Sequence, residues 1–300
     1  MPYMIQPTVA DSSEVRHLCR VLCRAYPFLH RTVIGESVCG RPIEALSLGH
    51  GDHAVLFAAA FHAQEWMTSL VTLRLCEDLC RRLNGADKPE RFDIRPVYPS
   101  RTIVFIPQVN PDGVDIAVHG SKAGGGHAAL LRAHGADIRG FWQANANGVD
   151  LNHNFNAGRR ELLALERSHG ISGPCARRYG GSRAESEPEV AALCRLCRRM
   201  TFSHVVALHS QGEEIYWQYG DRTPPHAHMT ARLFGNLSGY TPAEPSPIAS
   251  HGGFKDWFIE EFGRMGFTFE LGRGTNPLPL NQFEDVYRKA RDMLLCAAVL

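Results

Sequence analysis

HAVLFAAAFHAQEWMTSLVTLRLCEDLC, residues 53–80, decides the fold. An apolar run of strand length, Val55 to Phe61, passes into a helical pattern carrying Leu70, Leu73, Leu75 and Leu79. An uninterrupted apolar strand feeding a helix is the repeating unit of a parallel sheet covered on both faces. A polar pair, His62 and Glu65, breaks the apolar chain where strand becomes helix. In open α/β sheets that corner, beyond the carboxyl end of a strand, is where ligands bind.

The rest of the chain alternates in the same way. Strand-like runs are RTVIGES, RPIEALSLG, HAVLFAAA, TIVFIPQV, SHVVALHS, EEIYWQYG and GFTFELG; helical patterns cover about 65–83, 187–199, 253–262 and the end of the chain from about Asn281. The expected fold is α/β: a single domain over residues 1–300, with a mixed, mostly parallel twisted sheet, helices on both faces, and a helical lead-in over 1–28. Ser186 and Glu189 form an S-x-x-E pattern that predicts a capping box at the helix near 187. Between NPDG at 110 and GVDLN at 148 lies a Gly-, Ala- and His-rich excursion, read as a long loop with one short helix near Leu130.

Composition excludes several classes. Lys+Arg 32 against Asp+Glu 31 gives a formal charge of +1, a balance that points to neither nucleic acid nor an anionic membrane. The amino-terminal stretch has no basic region followed by an apolar core, and the longest apolar run, 55–61, is too short to cross a bilayer. A cytoplasmic location is expected. Nine cysteines is an odd number, and Cys19/Cys23, Cys76/Cys80 and Cys194/Cys197 sit at helical spacings among apolar residues, which reads as reduced core. Cys194-x-x-Cys197 has no second pair nearby and falls in a helical pattern, so it is not read as a metal or redox motif.

Four polar residues fall at strand ends. His62 follows the 55–61 strand, His209 follows HVVAL, Asn152 follows a short strand-like GVDL, and Glu270 ends GFTF. Alternation sets Phe267 and Phe269 on one face, with Thr268 and Glu270 on the other. Two imidazoles and a carboxylate make the ligand set of an open catalytic zinc site, and His62, Glu65 and His209 would supply it. H-x-x-E is only two fixed letters in a chain with fifteen histidines, so the placement at strand ends carries more weight than the motif.

A wider set of motifs adds to this reading. IGESVCGRPIEALSLG (34–49), HAQEW (62–66), NPDG (110–113), GVDLNHNF (148–155), SEPEV (186–190), HSQGEEIYW (209–217), GGFKDW (252–257) and FTFELG (267–272) occur in this order. The set resembles the zinc metallocarboxypeptidases of the carboxypeptidase A family. HSQGEEIYW and GGFKDWF are most similar to the bacterial γ-D-glutamyl-diamino-acid peptidases, which cut peptidoglycan peptides. The resemblance implies one Zn2+ on His62, Glu65 and His209, Glu270 as general base, and Asp150 as the carboxylate that orients the first histidine. It also implies a muropeptide substrate, met by Asn152, His153, Lys255 and Gln64. At the position of Lys255 the family has the base of the pocket for the residue after the cut, and a lysine there would favour a carboxylate.

The sequence also departs from the family. Asn152-His153 stands where carboxypeptidases carry an arginine for the terminal carboxylate. Gln143 and Asn147 are what the FWQANANGVD stretch offers in place of the oxyanion arginine, and Ile248 replaces the phenolic tyrosine. Three rival readings therefore stand beside the muropeptide peptidase: a zinc carboxypeptidase of other specificity, a deacylase of the aspartoacylase type, and a zinc-containing binding protein without turnover.

Overall fold

The computed structural model describes residues 2–85 and 91–300, apart from the side chain of Ile248. Helix α1 (Ser12–Ala25) precedes a hairpin of β1 (Leu29–Glu36) and β2 (Pro42–Gly49), followed by β3 (His53–Ala59) and, after a 3-10 turn at Ala63–Glu65, by α2 (Met67–Leu83). Strand β4 (Arg101–Ile106) leads to α3 (Pro111–His119), α4 (Ala128–Ala133), α5 (Arg159–Ser168) and α6 (Pro188–Arg199). The chain closes through β5 (Phe202–His209), β6 (Glu214–Tyr216), α7 (Ala227–Ser238), β7 (Thr241–Ala243), α8 (Phe254–Phe262), β8 (Met265–Glu270) and α9 (Phe283–Val299).

All eight strands form one sheet in the order β1-β2-β4-β3-β5-β8-β6-β7. The centre, β4-β3-β5-β8, is parallel, while β1/β2, β2/β4 and β6/β8 pair antiparallel. Alternation along the central strands separates two cores. Val55, Phe57, Ile103, Phe105, Val206 and Leu208 face one side, under α1, α2, α7 and α9. Leu56, Ala58, Val104, Ile106, Val205 and Ala207 face the other, under α6 and α8. Both faces of β3 are buried, which is why its sequence reads as an unbroken apolar run.

Three local expectations are overturned. The helix near 187 has no capping box: Pro188 takes its first position and Glu187 its N-cap, with no side-chain cap bond. Ser186 Oγ donates instead to Glu187 Oε1 (2.7 Å), and buried Glu189 accepts from the backbone N–H of Val38 in the β1–β2 hairpin (3.1 Å). A proline with its fixed φ moves the helix start, and a tertiary partner takes the carboxylate. GVDL is not a strand; Asp150 caps a 3-10 turn at Leu151–His153. The excursion after NPDG begins as helix α3, with Asn110 accepting from Gly113 N–H and Pro111 in the first turn, a start signal present in the sequence. Helices α5 and α7 lie where the periodicity reading put no element. No helix among the described residues is long and apolar enough to cross a membrane.

His204 ties the sheet to the carboxyl-terminal helix, because its Nε2–H donates to the carbonyl of Ala297 (2.8 Å). Burial pushes its pKa down to about 4, with Arg101 adding to the effect and the Ala297 bond opposing it. The folded state therefore favours neutral imidazole, and stability is fully present above the unfolded pKa of about 6.5 and lost as pH falls toward 4. Unfolding titrations of the wild type and His204→Gln should show the wild type losing on the order of 3 kcal/mol relative to the variant between pH 7.5 and 4. A pH-independent difference would rule out a buried neutral His204.

Candidate metal centre and substrate cleft

The corner after β3 is built to aim His62. Ala60 takes a left-handed φ of 52°, and the carbonyls of Ala59 and Ala60 accept from Val109 and Asn110 N–H (2.9 and 3.1 Å). Asn110 Nδ2 holds the Phe61 carbonyl at 3.0 Å. Phe61 then stacks on the His209 ring, centroids 5.2 Å apart, so the residue before one histidine packs against the other. His209 is the last residue of β5 and pairs in register with Glu270, the last of β8.

His62, Glu65 and His209 bring one ligand atom each within 4.8 Å of one another. His62 Nδ1 lies 2.8 Å from Glu65 Oε1, His209 Nδ1 lies 3.0 Å from Glu65 Oε2, and the two Nδ1 atoms are 3.2 Å apart. Ligands about 2.0–2.1 Å from a tetrahedral zinc stand roughly 3.3 Å from each other, so this donor set fits the metal. His62 Nε2 faces Asp150 Oδ1 at 3.3 Å, the outer carboxylate that fixes tautomer and raises basicity. Burial alone would raise the Glu65 carboxyl, but the two imidazoles bring it down to about 2. Burial opposes charge on His62 too, yet Glu65 and Asp150 outweigh it and raise its pKa; for His209 burial wins and lowers it. His62 and, after it, His153 likewise hold the Asp150 carboxyl low against its burial.

Beside this centre opens a cavity of about 190 Å³ lined by His62, Gln143, Asp150, Asn152, His153, Arg178, Lys255, Asp256 and Glu270, among others. Thr268 and Glu270 face it while Phe267 and Phe269 are in the core, as alternation requires. Burial first, and the Glu65 charge second, push the Glu270 carboxyl well above its ordinary range. Asn152 reaches the wall with its carbonyl already used, accepting from Phe254 N–H at the start of α8 (3.0 Å). His153 bonds through Nδ1 to the Arg178 carbonyl (2.9 Å), which leaves Nε2 for the cavity. Lys255 is 4% exposed, and its Nζ donates to the Gln218 carbonyl (2.7 Å) and to Asp256. A partner for the lysine was not evident from sequence.

Two expected residues do not line the cavity. Gln64 is buried, its amide oxygen 3.5 Å from Arg177, and Asn147 turns away to Glu187 Oε2 (2.9 Å). Gln143, the other candidate for the missing arginine, does line it and donates to Asp150 Oδ2 (3.1 Å). The side chain of Ile248 lies outside the described residues. Arg178 and Asp256 were missed. Nothing in CARRYGG distinguishes Arg178 from Arg177, whereas Asp256 adjoins Lys255 in the GGFKDW motif.

Comparison with known proteins places this geometry. The sequence profile of the zinc carboxypeptidases matches residues 15–293. A γ-D-glutamyl-L-diamino acid endopeptidase of Lysinibacillus sphaericus is 36% identical over 292 residues, covering 97% of this chain and 72% of that protein. Rat carboxypeptidase B is 26% identical, covering 80% of this chain and 57% of its own length. The structure of bovine thrombin-activatable fibrinolysis inhibitor, in complex with a tick carboxypeptidase inhibitor, superposes with a TM-score of 0.74 at 21% identity. It covers 98% of this chain and 96% of that one.

Metal analysis of the purified protein should find close to one zinc per chain, falling sharply in His62→Ala and His209→Ala. Asp150→Asn keeps the ligands but weakens the outer hydrogen bond, so zinc affinity should fall by about 10- to 100-fold. Full zinc in both histidine variants would remove the site.

Proposed function

Because the chain belongs to the zinc carboxypeptidase family, a family of hydrolytic metallopeptidases, we propose that it cleaves peptidoglycan-derived peptides at the amide joining γ-D-Glu to a diamino acid such as meso-diaminopimelate. The observation that carries this reading is the buried Lys255–Asp256 pair in the wall of the cavity that holds His62 and Glu270. An ammonium has three donors, and Lys255 spends two on Gln218 and Asp256, leaving one for a substrate carboxylate. Asp256 meets Lys255 through Oδ1, and its Oδ2 accepts no hydrogen bond from the described residues and can take an ammonium. Together they complement the far end of diaminopimelate, which carries an amine and a carboxylate on one carbon. A lysine side chain offers only the amine. The 36% identity to an endopeptidase of that specificity supports the same choice.

His62, Glu65 and His209 would hold the zinc, which supplies Lewis acidity toward the peptide carbonyl and the attacking water. Asp150 keeps His62 in the tautomer that presents Nδ1. Glu270, half-buried and with its proton affinity raised, takes the proton from water and returns it to the leaving amine. Asn152 and His153 would contact the substrate through the amide Nδ2 and the ring Nε2. We read residues 1–300 as one catalytic domain, and favour a cytoplasmic enzyme because all nine cysteines are free thiols, six of them buried.

Incubation with a γ-D-Glu-diaminopimelate peptide, a peptide ending in Phe and an N-acetyl amino acid separates this reading from its rivals. Only the first should be cleaved efficiently. Glu270→Gln should lower turnover by about 100-fold or more with zinc content unchanged; normal turnover would rule out the proton relay. Lys255→Met leaves Asp256 unpaired and should cost stability, so its readout is a ratio. The preference for diaminopimelate over lysine should shrink by about 10-fold or more, and an unchanged ratio would detach Lys255 from specificity.

A further inference from the structure

Two adjacent arginines lie on the segment between α5 and α6, and the fold uses them differently. The Arg177 guanidinium is occupied: Nε donates to the Phe141 carbonyl (3.0 Å), Nη2 approaches the Gly140 carbonyl and Gln64, and its plane lies over the Phe141 ring at 5.0 Å. In Arg178 it is the backbone that is held. Its N–H donates to Asp150 Oδ2 (3.0 Å), and its carbonyl accepts from His153 Nδ1 (2.9 Å). Its φ of 68° is left-handed, a conformation that residues with a Cβ rarely adopt and that persists where surroundings impose it. Arg178 lines the cavity, and its exposed side chain forms no hydrogen bond or ion pair with any described residue.

The other cation lining that cavity, Lys255, already has protein partners. Asp150 faces His62, and Lys255 is joined to Asp256. Arg178 is thus the cavity-lining cation whose side chain has no protein partner among the described residues. Its position is coupled to the reacting centre by a short path, since one oxygen of Asp150 meets His62 and the other meets the Arg178 amide. The backbone from which the Arg178 side chain springs is thus fixed relative to the metal ligands.

We propose that Arg178 determines specificity by binding a carboxylate on the acyl side of the scissile bond. The proposal rests on the substrate reading above. In a γ-glutamyl amide the α-carboxylate remains free, three carbons from the carbonyl that is attacked, whereas an ordinary α-linked peptide carries no charge there. Lys255 and Asp256 on α8 serve the leaving diamino acid. The acyl half lies against the other wall, beside Gln143, Asp150 and Arg178. A guanidinium matches a carboxylate with two parallel hydrogen bonds, which a lysine at the same place reproduces only as a point charge.

The test compares wild type, Arg178→Ala and Arg178→Lys on a γ-D-Glu-diaminopimelate peptide and on the same peptide with its α-carboxylate converted to carboxamide. Wild type should favour the carboxylate in kcat/KM by about 10- to 100-fold, mostly through KM, the loss typical of a charge-assisted hydrogen bond. Arg178→Ala should bring the ratio of kcat/KM on the two peptides close to one, with Arg178→Lys restoring part of the preference. An equal fall on both peptides, carried by kcat, would mean that Arg178 aids the oxyanion and would overturn the proposal. So would no change on either, the result for a solvated surface arginine. Wild type cleaving both peptides equally overturns the role of Arg178 alone; wild type cleaving neither overturns the substrate reading and this proposal with it.

Discussion

The parallel pairing of β3 with β5 is the constraint on which the site depends. Its register sets Ala59 opposite Leu208, so the strands end together and release His62 and His209 into the same space. The two Nδ1 atoms stand 3.2 Å apart with a carboxylate against each. Neighbouring strands lie about 4.8 Å apart, so donors at adjacent strand ends reach a common centre without distorting the sheet. A register slip of one residue in β3 would turn His62 away and bring its apolar set out of the core.

Around that centre the polar groups are tied in sequence from inside to outside. Asp150 holds His62 with one oxygen; the other receives Gln143 and the backbone of Arg178, whose carbonyl in turn fixes His153. Asn152, two residues on, caps α8 through Phe254 and so positions Lys255 and Asp256. One short turn, Asp150 to His153, therefore orients the metal side and the specificity side of the cleft together. Such chains of satisfied hydrogen bonds are stiff, which suits a site where small displacements are costly.

The departures from the carboxypeptidase pattern fall on the parts of the cleft that read substrate. On the reading proposed above, His62, Glu65 and His209 would hold the metal and Glu270 would be the base, while Gln143, Asn152 and His153 would stand where the family carries arginines. Positive charge enters instead from Lys255 on α8 and Arg178 on the loop after α5. The hydrolytic centre and the recognition surface lie on different elements, so one can change while the other is kept.

The layered α/β fold, the central strands and the clustering of His62, Glu65 and His209 were legible in sequence, because each rests on a local signal. Val55–Phe61 reads as a doubly buried strand from its apolar run, and Phe267/Phe269 against Thr268/Glu270 from simple alternation. His62, His209 and Glu270 then follow from the ends of those strands. Other features depended on partners distant in the chain. Ser186 and Glu189 look like a capping box until Val38 and Asn145 claim Glu189. Lys255 looks like a free cation until Gln218 and Asp256 meet it, and Arg178 cannot be told from Arg177 until Asp150 and Phe141 sort them. Periodicity records which face of its own element a residue occupies; which group from elsewhere neutralises, caps or frees a side chain is decided only when the chain is packed.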